Sequence, residues 1–179
     1  MIEEDGNGLR VLAEDLGFLD AGVKNLMKLS GLPGMDIWQF NAWDMMHLCE
    51  ESPEKAANRA FYTGTHDNNT LIGWLEESRG PQMDDWGEED PERKEEDAEE
   101  LRNEARQIIS RIYESPACLA MMQVQDVLLL GEEARMNVPG VAEGNWNWKL
   151  DGPSVMEAYP YAKGAAAWLK ELAEKTGRG

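Results

Sequence analysis

Residues 60–75 read AFYTGTHDNNTLIGWL, and this stretch decides the fold. Its apolar start predicts a buried strand that ends near Gly64, and the polar residues after it predict a loop. Thr70 precedes an apolar helical pattern, so Thr70 is a candidate N-cap for the next helix. The stretch therefore predicts a strand, a polar loop and a helix, in that order.

The same order recurs along the chain. We predict strands at residues 9–13, 35–40, 60–63 and 117–124, and helices at residues 20–30, 71–79, 91–114 and 158–175. Residues 41–58 are expected to form a loop with a short helix. Strands that alternate with helices pair in parallel. The predicted fold class is therefore α/β, with about four parallel strands.

Composition limits the classes of partner. The chain has 179 residues, of which 42% are hydrophobic, and this suits one ordered domain. The formal net charge is -18, which argues against nucleic acid and against an anionic membrane surface, because both attract clustered cations. A neutral sugar is compatible with this charge.

The N-terminus is acidic and does not resemble a secretory signal. No apolar run approaches the ~20 residues that span a bilayer, so we expect a cytoplasmic protein outside the membrane. Cys49 and Cys118 form no Cys-x-x-Cys pair, and His47 and His66 have no metal-ligand spacing with them. We therefore predict free thiols, no metal ion and no organic cofactor.

Two carboxylates follow predicted strands, Glu14 after the first and Asp67 after the third. Ligands bind at the carboxyl ends of parallel strands, so these side chains are expected to converge there. Such a pair suits glycosidic-bond chemistry, in which one carboxyl group protonates the leaving oxygen and the other attacks or stabilises positive charge. Helix capping is the alternative interpretation. Asp36 is set aside because it lies near the start of its strand.

Other side chains could contact the same ligand. His66 could donate a hydrogen bond beside Asp67, although an isolated histidine is often structural. Phe40 and Trp146 could stack on sugar rings, or belong to the core, as could Trp38 and Trp148. Trp146 lies in a polar loop, which favours the ligand-facing interpretation.

The chain contains, in order, the motifs AEDLG (13–17), GLPGM (31–35), YTGTHDN (62–68), QDV (125–127), EARMNVPG (133–140) and GNWNW (144–148). These motifs resemble the later motifs of the amylomaltases, the 4-alpha-glucanotransferase family, in order and approximate spacing. The resemblance extends from residue 9 to about residue 150. It implies the C-terminal half of a (β/α)8 TIM barrel with inserted subdomains, in which these segments supply the last four strands.

The resemblance also implies roles for single residues. It places Glu14 as the general acid/base and Asp67 as the carboxylate that stabilises the transition state. His66 and Asn137 match positions that hydrogen-bond the sugar, and Phe40 matches an aromatic residue near the active site.

The implied activity is the transfer of alpha-1,4-glucan segments to a 4-hydroxyl of glucose or another glucan, with retention of configuration. The expected substrate is a maltodextrin or another alpha-glucan. Two alternatives remain. One is an alpha-amylase-type hydrolase, which differs in its acceptor, and the other is a non-catalytic carbohydrate-binding or interaction module.

Two features depart from the family pattern. The family nucleophile is an aspartate in an Arg-x-Asp-His motif, which the sequence lacks. A complete barrel takes ~250 residues, so we expect residues 1–179 to be the C-terminal part of a longer catalytic domain, inactive without its N-terminal half. In addition, residues 45–51 read MMHLCEE, in a segment where many members carry a Pro-His-containing loop.

Overall fold

The computed structural model describes residues 11–80, 91–150 and 164–178. These residues belong to two compact units. The first unit lies within Met1–Thr63 and Glu114–Met121, and the second within Gly64–Tyr113 and Met122–Gly179. No helix in these described ranges is long and apolar enough to cross a membrane.

The first unit is built on a parallel sheet of three strands. They are β1 (Gly34–Ile37), β2 (Arg59–Tyr62) and β3 (Leu119–Met121), in the order β1-β2-β3. Met35 pairs with Ala60, which in turn pairs with Leu119. Ile37, Ala60 and Phe61 are almost fully buried, as the apolar strand patterns predict. The predicted parallel α/β arrangement is confirmed for these three strands.

The helices of the first unit are α1 (Ala21–Ser30), α2 (Trp38–Glu51) and α3 (Pro53–Ala56). Asp20 caps α1, because its carboxylate accepts a hydrogen bond from the Val23 N–H at 2.8 Å. Gly31 ends α1 in the left-handed conformation, at φ 67°, and donates to the Met27 carbonyl. Both ends of α1 lie where the sequence predicts them.

The second unit is helical. Its elements are α4 (Leu71–Arg79), α5 (Pro91–Glu114), α6 (Val124–Val127), a 3-10 turn (Glu132–Ala134) and α7 (Ala165–Thr176). The buried side chains along α5 are Leu101, Ala105, Ile108, Ile109 and Ile112. Each of these residues lies three or four positions from another member of the set, which places all five on one helix face that supplies part of the core of this unit.

Buried polar side chains fix the N-terminus of α4. Thr70 Oγ1 accepts from the Gly73 N–H at 3.1 Å, so Thr70 is the predicted N-cap. Asp126 of α6 is fully buried, and its Oδ1 accepts from the Leu71 N–H at 2.7 Å. Its buried neighbour Gln125 donates to the Ala134 carbonyl. Asp126 thus satisfies a donor that a helix start leaves without an intrahelical partner.

The strand predicted at residues 9–13 is wrong over the residues that the structure describes. Residues 11–16 have no regular secondary structure, and residues 9 and 10 lie outside the described ranges. Ala13 N–H donates to the Pro33 carbonyl, but the next donor along β1, the Met35 N–H, binds a carboxylate oxygen of Asp15 at 2.6 Å. A side chain thereby takes the donor that a paired strand would need. The described part has three strands where about four were predicted.

The segment after β1 also differs from the prediction. The strand predicted at residues 35–40 ends at Ile37, and α2 begins at the next residue. Trp38 and Met45 are buried seven residues apart, a helical spacing that the alternation at residues 35–40 conceals. The loop with a short helix that was predicted over residues 41–58 is therefore wrong in its proportions, because α2 and α3 occupy most of the segment.

The last predicted strand is shorter than expected. The strand predicted at residues 117–124 is limited to β3, because α6 begins at Val124. The closing helix predicted at residues 158–175 is confirmed as α7 within the described ranges. Residues 158–163 of that prediction lie outside them.

Replacing Asp126 by Ala is expected to lower the free energy of unfolding by about 1–3 kcal/mol, because the Leu71 N–H would stay buried without its acceptor. Urea unfolding followed by tryptophan fluorescence measures the change. Asp126→Asn is the matched control, since it keeps an oxygen acceptor of the same size, and it should lose less stability. An unchanged unfolding midpoint for Asp126→Ala would contradict this role.

Candidate active site

Four predicted site residues lie together in the second unit. Asp67 Oδ1 accepts a hydrogen bond from Asn137 Nδ2 at 2.5 Å and lies 3.5 Å from His66 Nε2. The His66 ring contacts the indole of Trp146, with centroids 5.2 Å apart and planes tilted by 40°. Two loops that are distant in sequence therefore meet around the Asp67 carboxylate.

This cluster is open to solvent. The side chains of His66 and Asp67 are 58% and 51% exposed, and Trp146 is 59% exposed. The cluster offers an anion, an imidazole, an amide and an aromatic face to a ligand. A sugar ring, with hydroxyl groups on its rim and C–H groups on its faces, matches that combination.

Asn68 folds the loop that carries His66 and Asp67. Asn68 is buried, and its Oδ1 accepts from both the N–H and the hydroxyl of Thr65, at 2.8 and 2.9 Å. The capped start of α4 follows two residues later. Hydrogen bonds therefore fix the backbone on both sides of Asp67, through Asn68 and Thr65 on one side and the Thr70 cap on the other.

Asn145 closes the loop that carries the other two residues of the cluster. Its Oδ1 accepts from the Val138 N–H at 2.8 Å, and its Nδ2 donates to the Val138 carbonyl. Trp146 adopts a left-handed conformation at φ 61°, which is uncommon for a residue other than glycine, and its N–H donates to the Met136 carbonyl. These bonds fix the direction in which the indole leaves the loop.

Arg135 is a site residue that the sequence analysis missed. Its Nη2 donates to the backbone carbonyl of Asp67 at 3.1 Å, and its Nε donates to the backbone carbonyl of Asn137 at 3.0 Å. Arg135 thus ties the two loops together through their backbones. The available signal was its place two residues before Asn137, within the motif EARMNVPG.

Glu14 and Phe40 belong to the first unit. Glu14 is exposed in the irregular segment before α1. Burial raises the pKa of Tyr62, the last residue of β2, and the nearby Cys118 and Glu14 raise it further. Glu14 therefore lies close to the carboxyl end of β2. Phe40, in the first turn of α2, is 68% exposed.

Asp15, the neighbour of Glu14, is part of a half-buried ion cluster. Arg59 Nη1 donates to Asp15 Oδ2, and Arg59 Nε donates to Asp36 Oδ2, both at 2.6 Å. Burial lowers the pKa of Arg59, but its hydrogen bonds to Asp36 and Asp15 outweigh this effect, and the net pKa is raised. Asp36 is thus a structural partner, in line with its omission from the candidate site.

Gly34, the first residue of β1, makes room for this ion pair. A Cβ atom on Gly34 would overlap Nη1 of Arg59 and the carboxylate of Asp15. Any larger residue at this position would require the Arg59 and Asp15 side chains to shift. This is a physical reason for the second glycine of the motif GLPGM.

The chain can be compared with known proteins on this basis. Residues 1–155 match the sequence model of a family described as 4-alpha-glucanotransferase. The chain belongs to the 4-alpha-glucanotransferase family. The family resemblance noted in the sequence motifs is therefore confirmed.

Named relatives agree with this assignment. The 4-alpha-glucanotransferase of Streptococcus pneumoniae serotype 4 is 37% identical over 150 residues, which cover 83% of this chain and 28% of the relative. That of Thermus thermophilus is 38% identical over 162 residues, which cover 83% of this chain and 30% of the relative. The chain thus spans less than a third of the length of these relatives.

A solved structure shows the same fold. The amylomaltase from Streptococcus agalactiae in complex with acarbose matches with a TM-score of 0.68 and 26% identity, over 97% of this chain and 33% of that chain. The three-stranded parallel sheet and its helices are therefore similar to part of an amylomaltase.

In the described ranges, no three His, Cys, Asp or Glu side chains are grouped closely enough to hold a metal ion. Cys49 and Cys118 are free and half-buried, and burial raises the pKa of the Cys49 thiol, with smaller effects of Asp36 and Glu50.

Tyr62 is expected to ionise above the ordinary tyrosine pKa of about 10, since burial, Cys118 and Glu14 disfavour its phenolate. Because the folded-state pKa is the higher one, the stabilisation linked to Tyr62 is complete at neutral pH and is lost as the pH rises above about 10. NMR of the tyrosine ring carbons, assigned with Tyr62→Phe, follows the titration.

The Glu14→Gln variant tests the position of Glu14 in the same titration. Removing this charge should lower the Tyr62 pKa, whereas Glu51→Gln, an exposed change at the end of α2, should leave it unchanged. An identical Tyr62 titration in Glu14→Gln and the wild type would show that Glu14 does not lie beside β2.

Proposed function

We propose that this chain supplies the acid/base and the transition-state-stabilising carboxylate of a retaining 4-alpha-glucanotransferase. The enzyme would transfer alpha-1,4-glucan segments to a 4-hydroxyl of glucose or another glucan. The observation that carries the proposal is the exposed Asp67 carboxylate, hydrogen-bonded to Asn137 and flanked by His66 and Trp146. Membership of the family gives the substrate class.

Glu14 would act twice. As an acid, it gives its proton to the departing glucan oxygen while the bond to the anomeric carbon breaks. As a base, it then accepts the proton of the acceptor's 4-hydroxyl while the new glycosidic bond forms. Its exposed position near the end of β2 is compatible with access to a sugar.

Asp67 would remain near the ring that gains positive charge in the transition state, where its negative charge is stabilising. His66 and Asn137 would hydrogen-bond sugar hydroxyls, and the exposed faces of Trp146 and Phe40 would pack against sugar rings. No step in this scheme uses a metal ion or an organic cofactor.

The nucleophile would come from elsewhere in the barrel. Retaining enzymes place a second carboxylate ~5–5.5 Å from the acid/base, and the family's Arg-x-Asp-His motif is absent from these residues. We propose that residues 1–179 form the C-terminal half of a (β/α)8 barrel. The N-terminal half of the same protein would complete it. The parallel strand order and the length of the relatives support this arrangement.

The two free cysteines suit a reducing compartment, which supports a cytoplasmic location.

The 179-residue chain by itself is expected to show no turnover, because the nucleophile is missing. Measurable glucan transfer by the purified chain would contradict this expectation.

A chimera tests the catalytic roles. In the Thermus thermophilus relative, the aligned segment is replaced by the corresponding residues of this chain. Incubation with maltotriose should yield a ladder of longer maltodextrins. Glu14→Gln and Asp67→Asn should each slow transfer by about 100-fold or more, because each removes a group that acts in the transition state. Glu50→Gln, an exposed change on α2, is the control.

Other outcomes would favour the alternatives. Glucose and maltose as sole products would indicate a hydrolase of the alpha-amylase type. A folded chimera that binds glucan without turnover, and whose binding is unchanged in Glu14→Gln, would indicate a carbohydrate-binding module.

A further inference from the structure

α2 carries an exposed aromatic pair that has no role in the proposed chemistry. Trp43 is 74% exposed, and its indole stacks on the His47 ring with centroids 4.9 Å apart and an angle of 18° between the planes. The two residues are four positions apart, so they share one helix face. Asp44, next to Trp43, is also exposed.

The helix that carries this pair begins directly at the carboxyl end of β1. α2 follows β1 directly and is interrupted at Asn41, whose φ of -146° and ψ of 39° are not helical. Asn41 Nδ2 donates to the Asp36 carboxylate at 2.9 Å, which links the kink to the Arg59 ion cluster. The carboxyl ends of parallel strands are where α/β proteins bind ligands.

We propose that Trp43, fixed by His47, is a stacking platform for one glucose unit of an alpha-glucan. The ligand class rests on the proposed function. The C–H face of a pyranose packs on the free face of the indole, and Asp44 accepts a hydrogen bond from a sugar hydroxyl. His47 stacks on the other face of the indole. The Trp43 side chain therefore loses less conformational entropy when the sugar binds.

The chemistry of this face differs from that of the exposed face of α1. The exposed apolar residues of α1 are aliphatic, namely Val23, Leu26 and Leu29. The α2 face instead combines an indole, an imidazole and a carboxylate. A sugar hydroxyl can hydrogen-bond to the Asp44 carboxylate while that carboxylate stays solvated.

Trp43 and His47 lie outside the motifs that carry the family resemblance, between GLPGM (31–35) and YTGTHDN (62–68). The platform would therefore affect which glucans this protein holds, without changing the reaction that Glu14 and Asp67 perform.

Binding to the 179-residue chain tests the platform without any turnover. Isothermal titration calorimetry with maltoheptaose is expected to show about tenfold weaker binding for Trp43→Ala, because one ring stacking contact is lost. Trp43→Phe, which keeps a ring, should retain most of the affinity, and His47→Ala should weaken it less than Trp43→Ala. Leu26→Ala, an exposed change on α1, is the control and should bind like the wild type.

The outcomes separate the platform from the proposed function. Equal affinities for Trp43→Ala and the wild type, or no maltoheptaose binding by the wild type, would overturn the platform. So would a dimer that Trp43→Ala converts to a monomer without any change in glucan affinity. Weaker binding by Trp43→Ala together with a chimera that makes no longer maltodextrins would support the platform and contradict the transferase proposal.

Discussion

The first unit depends on one cation, Arg59, which binds the carboxylates of Asp15 and Asp36 at the same time. The three residues come from β2, from the segment before α1 and from β1, so a single guanidinium connects three parts of the chain. Without that charge, two poorly solvated carboxylates would repel each other, which is strongly destabilising. The position of Glu14 follows from this contact, because Glu14 directly precedes Asp15.

The Asp67 carboxylate differs from those of Asp15 and Asp36 in its hydrogen-bond partner. Arg135 binds the backbone carbonyl of Asp67 and leaves the carboxylate to the neutral amide of Asn137. A guanidinium paired directly with this carboxylate would offset its charge. The mechanism that we propose needs that charge opposite a cationic sugar transition state. The arrangement fixes the loop firmly while keeping the negative charge effective toward a ligand.

Sequence patterns were reliable where a local mechanism determines the structure. The caps at Asp20, Gly31 and Thr70, and the buried face of α5, follow from short-range hydrogen bonding and helical spacing. The patterns failed where a distant side chain replaced a backbone partner, as Asp15 does beside β1. Motif order brought Asn137 and Asp67 into one candidate site, but no periodicity could reveal that Arg135 binds their carbonyls, since that contact depends on tertiary structure.

The overlap at Gly34 couples three positions that lie far apart in the sequence. A side chain at position 34 is tolerated only if the Arg59–Asp15 pair is absent or displaced. In a lineage that lost this arginine, a small side chain at position 34 would meet less hindrance, and that side chain would then hinder the return of the arginine. Positions 15, 34 and 59 should therefore covary among homologues, and the loss of the Arg59–Asp15 pair should be difficult to reverse during evolution.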